Sequence, residues 1–333
     1  PPPISGGTLR LSSDGASLFA ADPDRDAVFI IDVQTRARTH AIELLEGCEP
    51  GRIAEGNDGT IHVACRRSGD LVTLDPEAGV VIDTLTVCAN PRGVQVRPED
   101  SSVVIACAEG VLVTVAPDGT TSEVDVGVEI RDVLDAGPPV RVSTFRDPAV
   151  LTVDTEGAIV ETQRPPDLVL ASDGVIPLAW YSSPAMPDRL TANTARRTFA
   201  TVDGWVMLHQ VGSSQSLQGI SRTLESGWGG ASCVPAQSHV LTRWTSDGEP
   251  PQVLPMPSVA MAYDVAIDQA RDLVAVVTHN DLGGALALYG PLDFAATVVN
   301  PCTVEGAVFL EGEPTSVAFD PAGLAWVQTR EAA

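Results

Sequence analysis

One phrase recurs along this chain at a spacing of roughly 40 residues, and it constrains the fold more than any other feature. It reads "VFIIDVQTR", "LVTLDPEAG", "LVTVAPDG" and "VLTVDTEG": an apolar strand, then Asp or a substitute, then a turn. The Asp positions are Asp32, Asp75 and Asp154, with Ala116 in the third unit. A short side-chain oxygen there bonds the backbone of the turn, which explains the residue type without any function. A second phrase precedes the first: "LRLSSDGASLFAAD", "RIAEGNDGTIHVAC", "GVQVRPEDSSVVIAC" and, near the end, "AFDPAGLAWVQT". Each is strand, Asp-Gly-like turn, strand, which is the signature of a β-hairpin.

Four short strands per unit is the pattern of a β-propeller blade. The units fall at about 8–47, 49–87, 90–128, 130–164, 176–256, 260–311 and 314–333. The fifth carries a Ser/Gly-rich insertion at 211–238, longer than an ordinary hairpin loop. The expectation is an all-β, single-domain, seven-bladed β-propeller spanning 1–333, built of four-stranded antiparallel blades, the last one incomplete. Strong 3.6-residue periodicity is lacking, so helix is a minor component. The Pro-rich start "PPPISGG" lacks the basic and apolar regions of a signal peptide, and the end "LAWVQTREAA" stops inside a strand pattern. Both features are expected of a chain cut from a longer precursor.

The net charge of −24 argues against a nucleic-acid partner, which needs a Lys/Arg surplus, and against anionic membrane surfaces. No apolar run of about 18 residues is present, so no membrane-spanning helix is expected. Acidic balance alone is also what solubility requires.

"PRGVQVRPEDSSVVIACAEGVLVTVAPDG" and "LSSDGASLFAADPDRDAVFIIDVQTR" resemble the YVTN/lactonase-like family of seven-bladed propellers, over most of the chain. The resemblance implies a bacterial, exported propeller. "VEIRDVLDAGPPVRVSTFRDPAVLTVD" and "GWVMLHQ" look like a subgroup in which the propeller sits beside a c-type cytochrome segment. The chain itself has no Cys-x-x-Cys-His, so no cofactor is expected here, and haem belongs at most to a neighbouring segment. Propellers host unrelated activities, so the resemblance implies fold better than function.

The six cysteines are Cys48, Cys65, Cys88, Cys107, Cys233 and Cys302. None has zinc-ribbon spacing. Cys48 with Cys65, and Cys88 with Cys107, each bracket a hairpin turn. Facing residues of a ladder lie about 4.5–5.5 Å apart, within disulfide range. The expected pairs are Cys48–Cys65 and Cys88–Cys107, leaving Cys233 and Cys302 as a third. Interblade pairing (48–88, 65–107) and buried free thiols are the alternatives. Disulfides imply a periplasmic or extracellular protein.

Among candidate sites, Arg52, Arg92 and Arg131 recur at the start of the innermost strand in three successive units, where a propeller surrounds its channel. Three cations at one end suit an anion or an acidic partner; the simpler alternative is that each pairs with a nearby carboxylate. Arg146 in "STFRD" is a weaker addition. His209 and His279 end second strands and, with Asp264, form a candidate site near the channel mouth, against structural roles for each histidine. Asp22, Asp24 and Asp26 resemble the start of a calcium loop but lack its Gly and distant Glu, so a solvated turn competes. Neither G-x-S-x-G nor a phosphate-binding glycine loop is present, and Trp228 in "GWGGASC" is at most a binding contact. The residues favour a non-catalytic binding or scaffold module, a monomer with a protein or small anionic ligand at the channel mouth, and the resemblance implies the interaction domain of a larger redox, cytochrome c-associated protein. The alternative is a lactonase-like hydrolase, which would need clustered His, Glu and Asp on one face.

Overall fold

The structure is a computed structural model that describes residues 6–171, 174–177, 189–213, 237–256, 261–280, 283–290 and 306–330. Blade 1 comprises β1 (Leu9–Leu11), β2 (Ser17–Asp22), β3 (Ala27–Asp32) and β4 (Arg38–Glu43). Blade 2 comprises β5 (Pro50–Glu55), β6 (Ile61–Cys65), β7 (Asp70–Asp75) and β8 (Val80–Thr86). Blade 3 comprises β9 (Pro91–Val96), β10 (Val103–Cys107), β11 (Val111–Val115) and β12 (Thr121–Asp125). Blade 4 comprises β13 (Val133–Asp135), β14 (Val140–Ser143), β15 (Val150–Val153) and β16 (Ile159–Gln163). Blade 5 is formed by β17 (Leu168–Ala171), β18 (Gly174–Pro177), β19 (Arg189–Thr201), β20 (Gly204–Ser213), β21 (Gln237–Thr245) and β22 (Gln252–Met256). Blade 6 comprises β23 (Met261–Asp268), β24 (Leu273–Asn280), β25 (Gly283–Tyr289) and β26 (Gly306–Phe309). A last hairpin, β27 (Glu313–Phe319) with β28 (Ala325–Arg330), follows.

Every neighbouring pair is antiparallel, and each four-stranded blade keeps chain order from inner to outer strand. The repeated Asp does what its chemistry allows. Asp75 Oδ1 accepts from the N–H groups of Glu77 and Ala78, both at 2.9 Å, and Asp154 Oδ1 accepts from Glu156 and Ala158. Asp32 likewise accepts from the Thr35 N–H at 2.6 Å.

The propeller has six blades, not the seven expected. Among the described residues the seventh unit is the two-stranded sheet β27–β28, without the outer pair that would make it a blade. The fifth sheet also departs from expectation. It has six strands in the order β18-β17-β19-β20-β21-β22 and begins at Leu168 rather than near 176. The insertion expected at 211–238 lies outside the described residues apart from its two ends, as do Trp228, Cys233 and Cys302.

The core is a ring of layers between successive sheets, because each sheet buries both faces. Phe19, Val28 and Ile30 of blade 1 meet Ile53, Val63 and Leu74 of blade 2. Leu134 and Val150 of blade 4 meet Trp205, Met207 and Trp244 of blade 5. The hairpin completes the ring: Val317 packs on Ala275, Val277 and Leu286, while Ala318 and Trp326 pack on Leu9, Leu18 and Ala20. Burial on both faces explains why middle strands such as β10 and β15 read as nearly continuous apolar runs, whereas β8 and β16 at the rim are exposed.

Two disulfides form, Cys48–Cys65 with a Cα separation of 4.6 Å and Cys88–Cys107 with 6.4 Å. No described helix is long and apolar enough to cross a membrane.

Candidate functional site

The strands nearest the axis are β1, β5, β9, β13, β19, β23 and β27, each touching the next around the ring. Their side chains fill the centre, and what they supply is mostly guanidinium. All twenty basic residues of the chain are Arg. Close approach of these strands is built in by glycine. A Cβ on Gly93 would lie 2.5 Å from the Arg131 carbonyl oxygen, so only glycine lets β9 come this near the start of β13. Gly7 has φ +74°, and a Cβ there would lie 2.6 Å from Arg52 and 2.7 Å from Arg197.

At the ends where the inner strands begin, a cavity of about 310 Å³ is lined by Arg66, Arg92, Arg131, Arg146 and Arg196, together with Glu129, Ile130, Phe145 and Tyr263. Five cations thus face one carboxylate. Glu129 lies 3.9 Å from the exposed Arg146, and Arg66 reaches Glu49 at the same distance from behind the wall. The Arg131 guanidinium stacks over the Phe145 ring at 4.4 Å, and its buried Nε has no hydrogen-bond partner among the described residues. Burial first, and then the charge of Arg52, pushes Arg131 down to about 9. Burial and then Arg92 push Arg66 down to about 10. Both remain cations at neutral pH, held beside like charges that favour an incoming anion. Arg92 is lowered by burial and by Arg52, and burial raises the Tyr263 phenol.

One residue further along the same strands, the charges pair. Arg52 Nε donates to Asp132 Oδ1 at 2.7 Å, and the pair is buried. Arg197 Nη1 lies 3.5 Å from the same oxygen and its Nε lies 3.6 Å from Asp264 Oδ1. Asp132 Oδ2 accepts from the Thr198 N–H at 3.0 Å. Burial alone would raise the Asp132 carboxyl, but Arg52, Arg197 and Arg131 overcome it and hold it at about 2. Asp264 Oδ2 accepts from Gly7 N–H at 2.9 Å, from Val317 N–H at 3.2 Å and from the Ser316 hydroxyl.

Arg92 and Arg131 therefore line the mouth cavity, Arg146 joins them, and Arg52 sits one layer deeper with a carboxylate partner. The structure does not bring His209, Asp264 and His279 together. His209 is buried in blade 5, where its Nε2 lies 2.8 Å from the Thr242 hydroxyl, and burial pushes it down to about 3. Asp264 is taken up by ring closure. His279 lies on β24, partly buried, opposite Met261 and Gly284. Asp22, Asp24 and Asp26 turn to three different tasks. Asp22 accepts from the Asp24 and Arg25 N–H groups, Asp24 pairs with Arg330, and Asp26 accepts from Gly47 and Glu49. Among the described residues, the one group with metal-ligand proximity is Cys88, Cys107 and Glu109, whose sulfurs are consumed by the disulfide.

Sequence reasoning missed Arg66, Arg196, Arg197, Asp132 and Tyr263. A signal existed for two of them: "TARRTF" in β19 stands where "EIRDVL" stands in the preceding unit.

No protein-family model matches the chain, and no curated protein matches it. Solved structures do. Hydrazine synthase from Kuenenia stuttgartiensis superposes with a TM-score of 0.67 at 13% identity, over 99% of this chain and 97% of that one. A streptogramin B lyase gives 0.59 at 12% identity, over 98% and 91%. The Cps50 (Swd1) β-propeller domain from Myceliophteria thermophila gives 0.56 at 13% identity, over 98% of each chain. At such identities the likeness shows the propeller fold alone.

Proposed function

We propose that this chain is an exported, non-catalytic binding module whose channel mouth receives an anionic group, from a small carboxylate ligand or from an acidic segment of a protein partner. The observation that carries the reading is the convergence of Arg66, Arg92, Arg131, Arg146 and Arg196 on one cavity in a chain of net charge −24. The surrounding acidic surface repels anions, so a basic, partly desolvated mouth selects strongly by position. Phe145, Ile130 and Tyr263 supply an apolar wall for the carbon part of such a group. The cavity lining offers cations, a carboxylate and a phenol rather than the clustered His, Glu and Asp of the hydrolase alternative. An oxidising compartment, periplasmic or extracellular, is supported by the two disulfides.

Calorimetry with citrate and with a hexaglutamate peptide tests the reading. Saturable binding of at least one is expected at low salt, weakening as ionic strength rises. Arg92→Glu should weaken it by tenfold or more while leaving the circular dichroism spectrum unchanged. Binding of neither probe, or full binding by R92E, would overturn the proposal.

A further inference from the structure

A second cavity, of about 250 Å³, lies further along the inner strands, and Asp132 is part of its wall. Its lining includes Arg10, Arg52 and Arg197, with Gln95 and Thr198 as neutral polar groups. Arg52 is 5% exposed, and both its Nη1 and Nη2 are buried without a hydrogen-bond partner among the described residues. Arg10 Nε is in the same condition. Asp132 does not satisfy them. Its Oδ1 is committed to Arg52 Nε and faces Arg197, and its Oδ2 takes the Thr198 N–H.

The pairing of charges points the same way. Arg52 and Arg197 share the buried Asp132, Arg197 also faces Asp264, and Arg10 is acted on by Glu55 from the end of β5. Burial, then Arg52, and more weakly Arg10 lower Arg197, so the guanidiniums repel one another across this space. Leaving buried charged donors without acceptors is costly, which favours a ligand that accepts from them.

We propose that Arg10, Arg52 and Arg197 form an interior binding site for a tetrahedral oxyanion, either free inorganic phosphate or sulfate, or the phosphate or sulfate group of a ligand. A multi-oxygen anion meets a guanidinium fork with two parallel N–H···O bonds, which a monatomic chloride has no second atom to form. The cavity suits a compact anion, and Gln95 and Thr198 suit its remaining oxygens.

This site is distinct from the mouth, and its test is independent of the mouth reading. Inorganic phosphate and sulfate are titrated by calorimetry against chloride at matched ionic strength, and thermal unfolding is followed in the same buffers. Both anions also stabilise proteins nonspecifically, so the readout is the difference between wild type and variant. Wild type should bind one anion saturably at millimolar concentration or below. Arg10→Gln should weaken this at least tenfold, and Arg10→Lys, which keeps the charge but not the fork, should fall between them. Arg146→Gln at the mouth should leave phosphate binding within twofold while weakening citrate. If R10Q does not fold, the ranking of R10K below wild type decides. No binding beyond chloride, or equal binding by wild type and R10K or R10Q, would overturn the site. Phosphate binding without binding of either citrate or hexaglutamate would fail the mouth reading and leave this one standing, and the reverse result would do the opposite.

Discussion

Asp132 shows how one buried side chain sets the electrostatics of the centre. It is 2% exposed and pairs with Arg52 inside the ring of strands. Removing one partner of such a pair leaves a buried charge uncompensated, at a cost of about 3–5 kcal/mol. Asp132→Asn should lose stability of that order in urea unfolding at pH 7. Its pH dependence follows from the depressed carboxyl. The folded-state value is about 2, below the ordinary carboxylate value. Stability from this group is fully present above about pH 4 and is lost as pH falls toward 2. The gap between wild type and D132N should therefore be constant from pH 7 to about 4 and narrow below that. A gap that stays constant to pH 3 or lower, or one that narrows between 7 and 5, contradicts the assignment. Arg52, Arg92 and Arg131 were legible in the sequence because each opens an inner strand at a recurring place. Asp132 was not, since an Asp after an Arg in a strand carries no mark of burial until a neighbouring strand brings Arg52 within reach.

At the scale of elements, the hairpin phrase is what the sequence expresses most clearly, because period, turn chemistry and burial on both faces agree there. The turn oxygens of Asp75 and Asp154 and the two hairpin disulfides follow from it. The blade count does not. "PTSVAFDPAGLAWVQTR" carries the first half of the phrase and yields β27 and β28, yet a matching hairpin does not entail a full sheet. Two strands suffice to bury both faces between blade 6 and blade 1, so the apolar pattern is the same in the hairpin as in a blade. The disulfides have a separable effect. Cys48–Cys65 closes a loop with a sequence separation of 17, which the chain-entropy relation values at about 3 kcal/mol. The double variant Cys48→Ala, Cys65→Ala should unfold at lower urea by that order, and reduction of the wild type should mimic it for this bond. An unchanged midpoint in the double variant would show that the bond constrains little of the unfolded chain.

For the whole molecule, closure of the ring is a problem of joining residues far apart in sequence, and Asp264 is where it is solved. Its carboxylate accepts from Gly7, ahead of the first strand, from Ser316 and Val317 on β27, and faces Arg197 on β19. The Ser316 hydroxyl in turn accepts from the Leu9 N–H at 3.2 Å. Blade 5, blade 6, the hairpin and blade 1 thus meet at one buried acid, and no local pattern in "MAYDVAID" announces it. Loops closed over nearly the whole chain are entropically costly, so the contacts that hold them form late and open early. Asp264→Asn keeps the shape of the side chain but removes the charge facing Arg197 and weakens what Gly7, Ser316 and Val317 donate to. The expected outcome is a loss of about 3–5 kcal/mol together with a change in where the molecule opens. Amide exchange should accelerate first in β1 and β27, while β6, β10 and β15 stay protected. Uniform acceleration across all sheets would mean that Asp264 contributes only to global stability. Unchanged exchange in β1 and β27 would remove it from the closure altogether.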